Sequence, residues 1–405
     1  MISRNSLIAI VGFLLLFLMM TFISQYVVEK SILMLFMVFL IKKEISNLSI
    51  KVRVIFGLII FYGLYGVFIG AIYQNPNPLV FITVYFIYPL FYALCLTLLV
   101  KNNYFNTIIR IIFFSHFFIV LYDLLYVCGV IFSLPIPNIY SVENPFTFYD
   151  GASRMNFVNL NTLTFSTPLL FVLFIAKFEF KVSRVFQGIV LFVTFIVLLF
   201  SGRRSVMGMI LILPVLPFIF SGHFNKKIKS EFKKLTIIFL SIILIFLFKV
   251  NLDNPKILEA YSEKFLSAFD SKQEPIKFAQ GKMLLEKFIE KPIFGHGSGA
   301  RFYEPSPGRG SYGDQFELSY HFKLAINGIF GFSIIVGVYL WILFYGLYLS
   351  KKKKDIILLS FLMGYSLMLI ADASNPVLTS FDLIWPIYIC LARINYLELN
   401  NTEIN

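Results

Sequence analysis

The sequence predicts an all-α polytopic integral membrane protein of about 12 transmembrane helices with one large extracytoplasmic loop, an estimate set by chain length at about 20 apolar residues per crossing. Three observations carry it: composition, the lengths of the apolar runs and the placement of basic residues. Of 405 residues, 58% are hydrophobic and 14% charged, whereas a soluble globular chain carries roughly a quarter charged residues. The 49 Phe and 22 Tyr suit helix surfaces that face lipid. A compact soluble enzyme is excluded.

Taken in order, the apolar runs place spans near 7–23, 27–41, 54–73, 79–99, 107–132 and 157–176. The second half continues with spans near 185–200, 205–221, 235–250, 324–349, 356–371 and 381–397. The first run follows a single Arg4 and has no small-residue cleavage site, so it reads as a retained span rather than a signal peptide. The second and seventh are short, and the last contains Pro386. The chain therefore divides into nine spans with short loops over 1–250, a polar loop over 251–323, and three spans with a cytoplasmic tail over 324–405.

Alternating these spans collects 18 basic residues on one side, among them Arg4, Lys51, Arg184 and the run Lys351 to Lys354. The opposite short connections hold Lys30, Arg154, Arg203 and Arg204. Basic residues accumulate on cytoplasmic loops, so both termini are expected in the cytoplasm. The net charge of +13 is thereby a topology signal, and nucleic acid is not an expected partner. Cys95, Cys128 and Cys390 lie inside apolar runs with no metal-ligand spacing, which reads as packing. The segment 133–156, with Pro135, Pro137, Pro145 and Gly151, argues against regular helix.

Several polar features carry candidate chemistry. Ser201-Gly202-Arg203-Arg204-Ser205 puts two guanidinium groups on the side where positive charge is disfavoured. They either snorkel to headgroups or grip a phosphate or diphosphate bidentately, and the second reading is preferred. The turn Lys291-Pro292-Ile293-Phe294-Gly295-His296-Gly297-Ser298-Gly299 follows an amphipathic stretch from Ile276 to Glu290 with Met283, Leu284 and Phe288 as its apolar stripe. Its glycines Gly295 and Gly297 either present amides to an anion or make a plain loop corner.

Downstream lie Arg301, Arg309, Asp314, Glu317 and His321. If Glu317 and His321 occupy the first turn of a helix, their spacing of four places them on one face, where either can serve as a general base. Arg154 precedes Asn156, Asn159 and Asn161, and Asn375-Pro376 sits before the last span. His116 and Asp123 share one face of the fifth span, and an intramembrane carboxylate is a functional candidate or a helix–helix hydrogen-bond partner. These two are the clearly buried ionisable candidates. No Asp-x-Asp pair, Walker loop, HExxH or GxSxG occurs, so neither a metal nor another cofactor is expected.

In their order and spacing these features resemble the O-antigen polymerase and O-antigen ligase superfamily of polytopic membrane glycosyltransferases. The match covers residues 150–390: the Arg154 to Asn161 segment, the Ser-Gly-Arg-Arg-Ser turn, the amphipathic helix running into Pro292-Ile-Phe-Gly-His-Gly-Ser-Gly, then Asn327-Gly328-Ile-Phe-Gly331, and Asn375-Pro376. The first 130 residues resemble the family only as hydrophobic spans.

The resemblance implies a metal-independent glycosyltransferase of the bacterial inner membrane, acting at its outer face on undecaprenyl-diphosphate-linked oligosaccharide as donor and acceptor. Membrane lipids, a chain-length regulator and a flippase are the further partners it implies. Catalysis would fall to Arg203 with Glu317 or His321. The diphosphate or glycan would be held by Arg204, Arg154, Arg301, Arg309, Lys277, Lys282, Gly295, Gly297 and Asn375. Preorganised arginines stabilise a departing diphosphate electrostatically.

Two departures matter. The ligase branch has a histidine where counting eleven back from Gly328 lands on Glu317, which favours polymerase over ligase. Lys277, fifteen residues before Pro292, stands where the family often has arginine and cannot grip a diphosphate bidentately. The competing readings are a ligase that moves polymer to lipid A core, and a transporter. For a transporter one expects related halves or charged broken helices, and the sequence shows neither.

Overall fold

The computed structural model describes residues 4–23, 25–41, 48–79, 82–90, 92, 102–140, 146–149, 152–155, 159–201, 275–302, 316–373, 376–378 and 380–400, with isolated helical positions between 230 and 241. The described elements are α1 (Arg4–Thr21), α2 (Val27–Ile41), α3 (Ile50–Ile72), a π-helical segment (Thr83–Ile87) and α4 (Asn102–Phe132). A hairpin of β1 (Phe146–Tyr149) and β2 (Ala152–Met155) precedes α5 (Leu160–Ile175) and α6 (Arg184–Phe200). Then follow α7 (Pro275–Glu290), α8 (Ser319–Lys353), α9 (Ile356–Asp372) and α10 (Phe381–Leu399).

The chain is a helical membrane protein. Among the described residues three helices are long and apolar enough to cross a bilayer, Ile50–Ile72, Tyr104–Tyr126 and Ser319–Lys353, and four shorter apolar helices accompany them. Most described helices lie within a few residues of the expected spans; α8 begins five residues earlier than expected and takes in Lys351, Lys352 and Lys353 as its last turn. Cations there complement the exposed carbonyls of the helix end. Lys354 closes the helix in the left-handed conformation, and α10 continues through Pro386. The eighth expected span, the ninth apart from Ile237 and Ser241, and residues 251–274 and 303–315 of the expected large loop lie outside the described residues. The non-helical expectation for 133–156 is met where it can be seen: β1 and β2 pair antiparallel, with Thr147 opposite Arg154.

Small residues set the closest helix approaches, as packing without a hydrophobic drive between helices requires. A Cβ on Gly364 of α9 would overlap the Phe165 carbonyl of α5, and one on Gly63 of α3 would overlap Tyr85 of the π-helical segment. Around these contacts one apolar core runs through α1 to α6 and α8 to α10. An apolar cavity of about 130 Å³ opens among α1, α2, α4 and α10, lined by Met19, Met34, Met37, Tyr92 and Tyr388.

Polar side chains gather at the two ends of the bundle. At one end, Arg4 donates to the Leu40 carbonyl and the Asn395 side chain accepts from the Ser49 amide at 2.7 Å. Lys51 meets Tyr345 and Glu398 there. Also at that end, Asp355 caps α9 by accepting from the Leu358 amide at 2.6 Å and pairs with Arg393 at 2.5 Å, both side chains nearly buried.

Asp355→Ala removes a cap worth about 1 kcal/mol and strands a buried guanidinium, which costs about 3–5 kcal/mol. Asp355→Asn keeps the cap. Thermal unfolding in detergent should rank wild type above Asp355→Asn and Asp355→Asn above Asp355→Ala; a wild-type melting temperature for Asp355→Ala would contradict this account of the pair.

Candidate functional site

At the other end of the bundle α8 is broken. Gly328 has φ 59° and ψ −175°, dividing the helix into a short first part and a long second part. A break frees the carbonyls of Ala325 and Ile326 and the amides of Ile329 and Phe330, which an unbroken helix would pair with each other. Unsatisfied backbone groups are not tolerated at membrane depth. The glycine-rich turn supplies all four partners. His296 and Gly297 donate to Ala325 and Ile326 at 3.2 and 2.7 Å, while Ile329 and Phe330 donate to Pro292 and Ile293 at 2.8 and 3.2 Å.

The same turn is pinned to α3. Ser298 donates its amide to Gly66 at 2.7 Å, and Asn75 donates to the carbonyls of His296 and Ser298, both at 2.9 Å. Tyr65 donates to the Phe294 carbonyl at 2.8 Å. Gly297 has φ +81° and its absent Cβ would overlap the Gly70 backbone. The amides of Gly295, His296, Gly297 and Ser298 all reach carbonyls of the protein. This corrects the idea of an anion-binding nest at Gly295 and Gly297: their N–H groups are already engaged in holding the helix break.

Beneath the break lies a buried charge pair. Lys323 Nζ is 2.5 Å from Asp372 of α9 and 2.7 Å from Ser319, which also donates to Asp372 at 3.0 Å. The other Asp372 oxygen accepts the Leu378 amide at 2.9 Å, so the pair fastens the start of α8 to the turn leading into α10. Asn327 donates to Tyr62 at 2.9 Å. Nearby, buried Lys30 pairs with Asp382 at 2.6 Å. Two expectations drawn from the sequence are thus corrected: buried ionisable groups extend well beyond His116 and Asp123, and a charged broken helix is present.

The amphipathic helix α7 packs its expected stripe of Met283, Leu284 and Phe288 against α8. It brings two expected site residues together, Lys277 and Glu317, at 3.7 Å with about a third of each side chain exposed. Gln280 accepts the Glu317 amide at 3.0 Å. Because α8 starts at Ser319, Glu317 precedes it, and the condition that placed Glu317 and His321 on one helical face is not met. His321 and Arg301 are exposed. Lys282 is also exposed and faces Glu286 at 4.0 Å. His296 donates from Nε2 to the Lys287 carbonyl at 2.8 Å, and burial holds its pKa below that of a free imidazole.

On the neighbouring helices His116 is buried between Ser166 and Thr194, at 2.7 and 2.8 Å. Asn159 reaches Tyr140 at 2.8 Å and Asp123 at 3.5 Å, so Asp123 joins α4 to the start of α5. Arg154 lies on β2, which contacts α6; the last described residue of that segment, Ser201, stands two before Arg203 in sequence. Arg203, Arg204, Arg309 and Asn375 lie outside the described residues.

Lys323 and Asp372 do not stand out in the sequence, since each sits at the edge of an apolar run and reads as a boundary marker. The sequence signal that could have found them is their position beside Asn327-Gly328 and Asn375-Pro376.

Lys323→Met and Asp372→Asn should each lower stability by about 3–5 kcal/mol, because each leaves a buried charge alone, and the double variant should recover part of that loss. Thermal unfolding of the four proteins checks the coupling; additive losses would contradict it. Gly297→Ala forces a side chain into left-handed backbone at about 1–2 kcal/mol as well as the overlap with Gly70. It should speed deuterium exchange of the 293–300 amides, whereas unchanged protection would mean that the turn is not pinned as described. Comparison of the chain with protein-family models and with curated proteins gives no match.

Proposed function

We propose that the chain is a bacterial inner-membrane polymerase that joins undecaprenyl-diphosphate-linked oligosaccharide units into O-antigen or capsular polysaccharide. In this reading it has twelve spans, both termini are cytoplasmic, and the 251–323 segment and the site face outward. The observation that carries it is the pairing of the two sequence motifs on which the resemblance rests: Pro292 to Gly297 is hydrogen bonded to Ala325 to Phe330. Two degenerate motifs separated by some thirty residues of chain thereby form one structural unit, beside which Lys277 and Glu317 meet.

In the reaction a sugar hydroxyl of one lipid-linked unit attacks the anomeric carbon of the donor glycan. The bond from that carbon to the diphosphate oxygen breaks, and the lipid diphosphate leaves with the electron pair. Charge developing on the diphosphate is met by Arg203, with Arg204, Arg154, Arg301 and Arg309 around it, as preorganised guanidinium groups can do without a metal. Glu317 or His321 takes the acceptor proton. Glu317 is the better held, through its own amide and the neighbouring Lys277, and Lys277 adds a point charge beside the diphosphate. Lys282 and Asn375 complete the proposed substrate contacts, with Gly295 and Gly297 shaping the turn beneath them.

One observation favours a second reading. The broken α8 with its buried Lys323–Asp372 pair is the kind of element found at transporter substrate sites, and a carrier of lipid-linked oligosaccharide would use it in movement rather than in chemistry.

Arg203→Ala should abolish chain extension while leaving the protein in the membrane, and Arg203→Lys should fail to restore it. Size profiling of the surface glycan and its lipid-linked intermediates checks this; wild-type chain lengths in Arg203→Ala would sink the proposal. Deleting the chain should leave single repeat units on their surface acceptor. Units trapped on the cytoplasmic face would point to the transporter instead.

A further inference from the structure

The surface of α7 is divided into three arcs. One is buried against α8 and holds Gln280, Met283, Leu284 and Phe288. A second carries Lys282, Glu286 and Glu290, all exposed charges. The third is apolar and exposed: Phe278, Leu285 and Ile289 stand 47%, 49% and 65% accessible, and their i, i+7, i+11 spacing lines them up on one side of the helix. Protein on one arc and water on another account for two of the three. The apolar strip requires a third environment.

That environment is identified by what the strip runs into. Beyond the end of α7 the next exposed apolar side chains are Ile293 and Phe294. The Ile293 carbonyl accepts the Phe330 amide, and Ile329 and Phe330 are themselves exposed, at 55% and 45%, on the spanning helix α8. The strip is therefore continuous with the apolar outer surface of a helix long enough to cross the bilayer. At the same level Lys291 lies 3.2 Å from the ring centroid of Tyr73, at the end of α3. A tyrosine and a lysine at the end of a spanning helix are residues of the membrane–water boundary.

We propose that α7 is an interfacial helix: it lies flat on the bilayer at the glycine-loop end, with Phe278, Leu285, Ile289, Ile293 and Phe294 inserted among the upper acyl chains of phospholipid. Its charged arc faces water and its buried arc holds α8. The helix that carries Lys277 is thereby fixed at headgroup depth, the depth at which any lipid-linked diphosphate lies. This placement depends on the membrane character of the chain and not on the reaction proposed above.

Tryptophan fluorescence tests it. In the Trp341→Phe, Trp385→Phe background of the full chain, tryptophan is introduced singly at 278, 285 or 289 on the apolar strip, and at 286 on the charged arc. Each variant is reconstituted into phosphatidylcholine–phosphatidylglycerol vesicles with or without acyl chains brominated near the headgroup, and is also titrated with iodide. The expected result is a larger loss of emission to brominated lipid at 278, 285 and 289 than at 286, with the reverse order for iodide. The proposal is overturned if the strip positions lose no more emission to brominated lipid than position 286 does. Strong iodide quenching there would then mean that the strip faces water, and weak iodide quenching that another segment of this chain or a second copy covers it. All three strip positions are already exposed, so the variants retain the packing of α7 on α8; equal gel-filtration profiles before reconstitution verify this.

Discussion

The exchange of backbone hydrogen bonds between the glycine-rich turn and the break in α8 is the interaction on which the site end of the bundle depends. A helix interrupted at Gly328 has two carbonyls and two amides with nowhere to go, and at membrane depth such groups are intolerable. The turn at Pro292 to Gly297 has the complementary set. Each therefore needs the other: the break is stable because the turn is inserted, and the turn is ordered because the break receives it. The fit is close enough that Gly70, Gly295, Gly297, Gly299 and Gly328 all lack room for a Cβ.

Around this junction the other contacts follow the same rule. Asn75 and Tyr65 satisfy carbonyls that the junction leaves over, Asn327 links α8 to Tyr62 of α3, and the Lys323–Asp372 pair ties the junction to the turn before α10. Charge is buried there in pairs and with additional hydrogen bonds, the condition under which a low-dielectric interior accepts it. Lys30 with Asp382 repeats the arrangement between α2 and α10. Between the two polar ends the bundle is held by close helix approach, as at Gly364 against Phe165, and its buried polar groups, such as His116, are shared between helices.

The glycan-polymerase reading and the interfacial placement of α7 meet at Lys277. On both proposals, a helix lying on the bilayer would hold that lysine beside Glu317 at the level where a lipid diphosphate emerges from the membrane, while a glycan chain would extend into water above it. The exposed arginine Arg301 follows the same turn. Arg154 lies on a strand that touches α6, the helix whose end leads in sequence toward Arg203.

Whatever depends on local composition and period is legible in the amino-acid order. Apolar runs fixed where most described helices lie, prolines fixed the non-helical stretch after α4, and the Met283, Leu284 and Phe288 stripe fixed the buried face of α7. These are decided within a few helical turns, because bilayer thickness and the 3.6-residue period act on contiguous residues. The tertiary structure alone decided the pairings across distance. Gly295 and Gly297 read as a corner or an anion nest until Ala325 and Ile326 appeared as the acceptors of their turn. Lys323 and Asp372 read as span boundaries until they met each other, 49 residues apart in the chain. Glu317 and His321 read as one helical face until α8 was seen to start at Ser319. Hydrogen bonds and ion pairs of this kind are set by where two segments touch, and hydropathy, which every spanning helix shares, does not say which helices touch.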